Sequence, residues 1–204
     1  MIVAAFLIIL TLLALFAGPF IRKHNVKIYI IAVLVSILSY VLKDKPIFEP
    51  FMRGFLGLAF FYIVMITGAL PNKNKLRIKF MGLRREFSII GFIVSTPHAL
   101  LYIVKWIDGT RSLEWFGFIA FVLMIPLFIT SFKTIRNKMS LKNWRLLQSI
   151  AYVIYVLLFI HLVLSYSKDI NLILYLVMFV PYFVLKGYYE INAFIQRRKK
   201  NELT

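Results

Sequence analysis

Seven long hydrophobic segments, separated by short polar loops, dominate the chain. Each has about 16–21 residues, close to the roughly 20 that a helix needs to cross about 30 Å of hydrocarbon. Because no water satisfies backbone groups inside a bilayer, such segments must be helices. They lie at residues 2–21, 27–42, 51–70, 86–106, 114–132, 146–166 and 170–188. The pattern predicts an all-α integral membrane protein with about seven transmembrane helices.

The first two segments fit this pattern least well. Segment 27–42 is the shortest. Segment 2–21 has an alternative interpretation as a cleaved signal peptide. It lacks a basic region before its apolar run, and the run is longer than the usual signal-peptide core. We therefore predict that segment 2–21 is a retained helix.

The composition excludes several classes of protein. Apolar residues make up 61% of the chain and mean hydropathy is +0.84, whereas soluble domains are about 45–50% apolar. There is no cysteine, so disulfides, thiolate metal sites and iron–sulfur clusters are excluded. The net charge of +17 comes from basic residues between the hydrophobic segments, where they set membrane orientation. No nucleic-acid partner is predicted.

The loop charges predict the topology. Basic residues concentrate in four polar regions, at residues 22–27, 73–85, 133–145 and 186–200. The opposite loops hold few basic residues and most of the acids. By the positive-inside rule the N-terminus is outside and the C-terminus inside, which we assign to a bacterial cytoplasmic membrane. The basic C-terminal residues are predicted to meet the anionic lipids of the cytoplasmic leaflet.

Two histidines are the main candidates for chemistry. His98 and His161 lie inside hydrophobic segments, each seven residues before a lysine, Lys105 or Lys168, at the predicted outer boundary. This spacing places both imidazoles about 10 Å below that boundary, on helices that run in the same direction. If the helices are adjacent, the rings face each other at one level. An intramembrane histidine is a functional hypothesis by default.

A shared ligand is one interpretation of this pair, and for paired imidazoles in a membrane the leading candidate is a haem iron. Ligation by two histidines fills both axial positions and favours electron transfer. The alternative is that each histidine is a hydrogen-bonded packing residue. His24 lies among basic residues in a turn and is predicted to be a solvated loop residue.

The residues around the histidines resemble the ferric reductase-like transmembrane domain family. The similarity lies in RREFSIIGFIVSTPHALLYI and in KMSLKNWRLLQSIAYVIYVLLFIHLVLSY. It is greatest to the MsrQ branch, the haem-bearing membrane subunit of a bacterial periplasmic methionine sulfoxide reductase system. The resemblance implies a haem histidine at His98, after the pair Arg84–Arg85, and a second at His161. It covers roughly residues 47–190.

This resemblance implies a division of the chain. Residues 1–45 would form an N-terminal helical hairpin, made of an extra helix and the first core helix. Residues 46–190 would form the rest of the ferric reductase-like haem-binding core, which has six helices when that first core helix is counted. Residues 191–204 would form a basic cytoplasmic tail.

Gln148 departs from the family pattern. It stands where the family usually has its cytoplasmic-side histidine, after Trp144 and Leu147. Since glutamine is a poor iron ligand, the resemblance implies one b-type haem at the outer position. On an ideal helix, position 148 lies about 20 Å and roughly 140° from His161, so the two would not share a face without a bend.

The haem propionates would point toward the outer surface and need cationic partners. The candidates are Arg53, Lys105, Arg111 and Lys168, together with the indole of Trp106. Each has an alternative role as an interfacial residue. Pro97 directly precedes His98 and either aims the imidazole through a kink or is an ordinary membrane-helix proline.

These observations predict a redox subunit that passes single electrons toward the outer face. The donor would be a membrane quinol or a cytoplasmic flavoprotein docking on loops 72–85 and 133–145. The acceptor would be an extracytoplasmic reductase or a ferric substrate. No dinucleotide-binding motif occurs in the chain, so a quinone or flavin would come from a partner. The alternatives are a haem-free transporter or assembly partner that keeps the fold, and a proton path through the histidines.

Overall fold

The computed structural model describes residues 2–71, 73–166 and 171–202, and within these ranges the chain forms helices and no strands. A short 3-10 turn at Pro46–Phe48 precedes the fourth α-helix. The α-helices are α1 (Ile2–Phe16), α2 (Gly18–Lys23), α3 (Asn25–Val41), α4 (Glu49–Met52), α5 (Phe55–Thr67), α6 (Lys75–Met81), α7 (Arg84–Ile107), α8 (Trp115–Ile129), α9 (Lys133–Arg136), α10 (Leu141–Ser165) and α11 (Asn171–Glu202).

The helix lengths confirm a multi-helix membrane protein. α7, α10 and residues 172–196 of α11 are long and apolar enough to cross a membrane. The turn at Pro46–Phe48 with α4 passes the same test together with α5, and the bend of 43° between them makes this pair either a broken span or a re-entrant loop. The apolar helices α1, α3 and α8 are shorter. Together these helices match the seven hydrophobic segments of the sequence.

Several boundaries differ from the predicted ones. Segment 2–21 is divided near Ala17 into α1 and α2, and the segment predicted at 51–70 begins earlier and is bent at Gly54. α11 extends past residue 188, where the last predicted segment ends, and continues to Glu202. Breaks of this kind fall inside apolar stretches, so hydropathy does not reveal them.

The bundle has two distinct ends. We call the end that carries His98, His161 and the start of α8 the histidine end. We call the end that carries the start of α7, helix α9 and the start of α10 the basic end. α7 and α10 both run from the basic end to the histidine end, whereas α5 and α8 run the opposite way.

Close helix packing around α7 positions the site. α7 packs against α3 and α5, and α8 packs against α10. Two glycines allow the approach of α5 and α7, because a Cβ on Gly57 would lie 1.9 Å from the Ser95 hydroxyl and one on Gly91 would lie 2.9 Å from Phe60. Small residues at contacts of this kind let membrane helices pack closely.

Pro97 lies inside α7 without ending it. Its missing N–H leaves the Ile93 carbonyl without the usual helical donor. The buried Ser36 hydroxyl of α3 donates to that carbonyl at 3.1 Å. The proline one residue before His98 is therefore accommodated by a specific contact from the neighbouring helix.

Candidate functional site

The structure brings the two membrane histidines together. The ring centroids of His98 and His161 lie 6.4 Å apart, with the ring planes at 62°. Both side chains line one recess at the histidine end. α7 and α10 are not closely packed against each other, and α8 contacts both, so the rings face each other across a gap between their helices.

A helix break holds the His98 ring. Gly54 has a φ of 73°, a left-handed conformation that glycine adopts readily, and it separates α4 from α5. Next to this break the Met52 carbonyl lies 2.8 Å from His98 Nδ1. A carbonyl can only accept, so this contact places the proton on Nδ1 and leaves Nε2 of neutral His98 deprotonated.

A carboxylate lies beside the His161 ring. Glu114 directly precedes α8, and its Oε2 lies 3.2 Å from His161 Nδ1. The same oxygen accepts a hydrogen bond from the Ser165 hydroxyl at 3.2 Å, while Oε1 pairs with the Arg111 guanidinium. The start of a helix favours a negative charge. Glu114 therefore links α8 to both the imidazole and a cation of the preceding loop.

The Nε2 atoms of both rings remain free for a ligand. No hydrogen bond to either atom occurs among the described residues. A histidine that ligates a metal almost always donates its other ring N–H to a carbonyl or carboxylate, which fixes the ring and raises its basicity. His98 Nδ1 has such a partner in the Met52 carbonyl, and the Glu114 carboxylate lies close to His161 Nδ1.

The ring separation fits axial ligation of a single metal ion. With a metal–nitrogen bond of about 2.0 Å and ring atoms about 1.1 Å from the ring centre, two imidazoles on opposite sides of one ion have centroids about 6.2 Å apart. The observed separation is 6.4 Å. No group of three or more His, Asp or Glu side chains able to hold a metal occurs in the part of the chain that the structure describes. A metal here would need its other ligands from a cofactor, as a porphyrin supplies.

Two glycines make room for the imidazoles. A Cβ on Gly117 of α8 would lie 2.9 Å from His161 Cε1, and one on Gly54 would lie 3.2 Å from the His98 ring. Each is the residue that allows the backbone to approach the ring closely. In the sequence they are only glycines near the predicted depth of the histidines, which does not predict a contact with the rings.

The recess has a volume of about 110 Å³. Sites for ligands of drug size measure about 300–1,000 Å³. The two imidazoles have the chemistry to hold a haem iron, and the walls of the recess would have to move apart to admit the macrocycle.

The predicted propionate partners are placed differently from one another. Arg53 lines the recess and pairs with Glu49 at 2.8 Å. Arg111 pairs with Glu114 and lies over the Tyr102 ring. Lys105 also lies over Tyr102, 5.7 Å from the ring centroid, and neither of these two cations lines the recess.

Two further residues were named for this role. Lys168 lies outside the described residues. Trp106 is 44% exposed and does not line the recess. Among the described candidates, Arg53 is therefore the one that lines the recess.

Gln148 lines a second cavity, toward the basic end, which shares Phe61 and Met124 with the recess in its walls. Arg84, Arg85 and Ser88 of α7 also line this cavity, and no histidine does. The chain has three histidines, and His24 lies at the junction of α2 and α3. The second cavity therefore offers no pair of imidazoles to a haem iron.

The sequence reasoning missed the residues that hold the imidazoles. Glu114 was considered only for its charge outside the membrane, and the Met52 carbonyl was not considered. A carboxylate at the start of a helix, close to the predicted depth of His161, was the one available signal for Glu114. The Met52 carbonyl gave none, because its availability depends on the break at Gly54.

Comparison with known proteins agrees with this architecture. The chain is 29% identical over 163 residues to an uncharacterised protein of Treponema pallidum, a match that covers 70% of this chain and 45% of the relative. It is 28% identical over 131 residues to the magnetosome protein MamZ of Paramagnetospirillum magneticum, covering 58% of this chain and 20% of the relative. The chain thus spans less than half the length of either relative.

No solved structure matches the chain. The family described as "Ferric reductase like transmembrane component" matches residues 53–159, just over half of the chain, from the residue before Gly54 to the residues preceding His161. The match includes the helices that carry His98, Glu114 and Gly117. The chain belongs to this family of ferric reductase-like transmembrane components.

Proposed function

We propose that this protein holds a single b-type haem between His98 and His161 and transfers single electrons through it, as an MsrQ-like redox subunit. Membership of a ferric reductase-like family supports a membrane redox role. The observation that carries the haem is the pair of imidazoles 6.4 Å apart, with the Met52 carbonyl bonded to His98 Nδ1 and the Glu114 carboxylate close to His161 Nδ1.

Two histidines of the chain would hold the haem, and His98 and His161 would bind its iron through their Nε2 atoms. The Met52 carbonyl and the Glu114 carboxylate would keep the Nδ1 protons and hold the ring orientations. A bound haem would supply a one-electron couple, and ligation by two histidines would favour electron transfer over the binding of oxygen.

The position of the pair sets the expected direction of electron flow. The histidines lie toward the end that the loop charges place outside, so we propose that electrons leave to an extracytoplasmic reductase or a ferric substrate. Because no second imidazole pair exists toward the basic end, a cytoplasmic flavoprotein would face a longer gap than a membrane quinol. We therefore favour quinol as the donor, in a bacterial cytoplasmic membrane.

An absorption spectrum of protein purified from haem-replete cells tests this proposal. We expect a low-spin b-type spectrum with one haem per chain. His98→Ala and His161→Ala should each abolish it, and His24→Ala, which removes the histidine outside the recess, should leave it unchanged. A colourless preparation would refute the proposal and favour the alternative of a haem-free transporter or assembly partner.

The donor can be tested on the same preparation. If quinol is the donor, a short-chain quinol should reduce the haem in detergent solution without any added protein. Reduction that requires a soluble flavoprotein and its pyridine nucleotide would assign the donor to the cytoplasm instead.

A further inference from the structure

The second cavity, which we call the basic-end cavity, has a volume of about 490 Å³. It is larger than the recess beside the histidines, which has a volume of about 110 Å³, and the proposed electron transfer makes no use of it. One wall of the cavity, which we call its lower wall, is cationic and lies at the basic end. It is formed by Arg84, Arg85, Lys133, Arg136 and Arg145. No acidic residue lines it.

Most of this positive charge is not compensated within the protein. Glu86 is buried and pairs with Arg85. Arg84, Lys133 and Arg145 have no carboxylate partner among the described residues. Cations at the edge of a membrane protein that have no acidic partner favour an anion from outside the chain.

Two residues that line the cavity also carry hydrogen-bond donors without acceptors. The indole Nε1 of Trp144 and the amide Nε2 of Gln148 are buried and have no hydrogen-bond partner among the described residues. An indole N–H can only donate, and a buried donor without an acceptor costs free energy. The Arg136 guanidinium stacks on the Trp144 ring, 4.5 Å from its centroid. A ligand with negative charge and several acceptor atoms, such as a phosphate group, would suit these cations and donors.

The upper wall of the cavity is apolar and points toward the middle of the bundle. Phe61, Phe92, Leu127 and Phe128 form it. A small soluble anion would leave these side chains without a partner. An amphiphile with a phosphate at the basic end and a hydrocarbon chain above it would satisfy both walls.

We propose that the basic-end cavity binds an anionic phospholipid, with its phosphate among Arg84, Lys133, Arg145 and the Trp144 N–H. A lipid headgroup and free phosphate would both supply a phosphate group to this site. The apolar wall favours a lipid over free phosphate as the source of that group. The site is independent of the haem, since it shares no ligand with His98 or His161.

Native mass spectrometry of the detergent-solubilised full chain tests the site with dioleoyl phosphatidylglycerol as the probe. We expect one tightly retained lipid per chain and at least about tenfold weaker retention of dioleoyl phosphatidylcholine. The double variant Lys133→Gln/Arg145→Gln should lower phosphatidylglycerol retention about tenfold. The matched control is Lys138→Gln/Lys142→Gln, which removes the same charge from neighbouring exposed positions that do not line the cavity.

Two further measurements keep the proposal falsifiable if the double variant does not fold. Trp144→Phe removes the orphaned N–H while keeping an aromatic ring, and it should weaken retention about threefold to tenfold. Inorganic phosphate, titrated alone, should bind at least a hundredfold more weakly than the lipid. Equal retention in the cavity variant and its control, equal retention of the two lipids, or tight binding of inorganic phosphate alone would overturn the proposal.

Discussion

Replacing Glu114 by glutamine changes the charge beside His161 and keeps nearly the same shape. In the structure the Glu114 carboxylate lies 3.2 Å from His161 Nδ1 and pairs with Arg111. The amide oxygen of glutamine can still accept the Nδ1 proton, so the ring should stay in place. What is lost is one negative charge, and the Arg111 guanidinium is left without its partner.

The size of the effect follows from distance and charge. The distance from the carboxylate to an iron bound at His161 Nε2 is the sum of three lengths. These are the Oε2–Nδ1 distance of 3.2 Å, the width of the imidazole and the metal–nitrogen bond, which together give about 7 Å. At an effective dielectric constant of about 20, a unit charge at that distance contributes roughly 2.4 kcal/mol, or about 100 mV for a one-electron couple. The Glu114 side chain is 25% exposed, and solvent screening reduces this value to about 30–100 mV.

A redox titration followed by absorbance measures this shift. Because the lost negative charge stabilised the ferric form, Glu114→Gln should raise the midpoint potential of the haem by about 30–100 mV while keeping a low-spin spectrum. The control is Glu190→Gln, which removes a carboxylate from the ion pair with Lys186 in α11 and should leave the potential unchanged. A potential that stays within about 10 mV of wild type, or that falls, would refute the assignment of Glu114 as the partner of an iron-ligating His161.

Two glycine substitutions test the packing around the site. Gly117→Ala places a Cβ 2.9 Å from His161 Cε1, so it should displace the ring and lower haem occupancy about tenfold or more. Gly187→Ala, whose Cβ would meet nothing within 4 Å, should leave haem occupancy unchanged. Equal occupancy in the two variants would contradict the claim that Gly117 makes room for the His161 ring. Gly57→Ala places a Cβ 1.9 Å from the Ser95 hydroxyl, and overpacking of this kind costs about 1–3 kcal/mol. It should lower the midpoint of thermal unfolding, and an unchanged midpoint would show that α5 and α7 separate easily.

The helical architecture could be predicted from hydrophobicity because the bilayer demands long apolar helices. Each of the seven hydrophobic segments corresponds to an apolar helix or to a bent pair of helices. The breaks near Ala17 and at Gly54 could not be placed in this way, since both lie within apolar stretches. The continuation of α11 past residue 188 was also missed, because charged residues ended the hydrophobic segment without ending the helix.

The candidate site could be predicted only in part. Matched distances from the boundary lysines were enough to pair His98 with His161, because both helices run in the same direction. The partners of the Nδ1 atoms depend on contacts between residues distant in sequence, such as Met52 with His98. For the inner position, the family resemblance predicted only that Gln148 stands where a histidine is usual. Only the structure shows that it lines a cationic cavity.

Electron paramagnetic resonance of the oxidised, purified protein tests the central claim most directly, because the signal reports the axial ligands of the iron. Ligation by His98 and His161 predicts a low-spin ferric signal of the bis-imidazole type, at one haem per chain. The signal should be lost from both His98→Ala and His161→Ala and kept in His24→Ala. A high-spin signal in the wild-type protein, or a bis-imidazole signal that survives in either alanine variant, would contradict the claim.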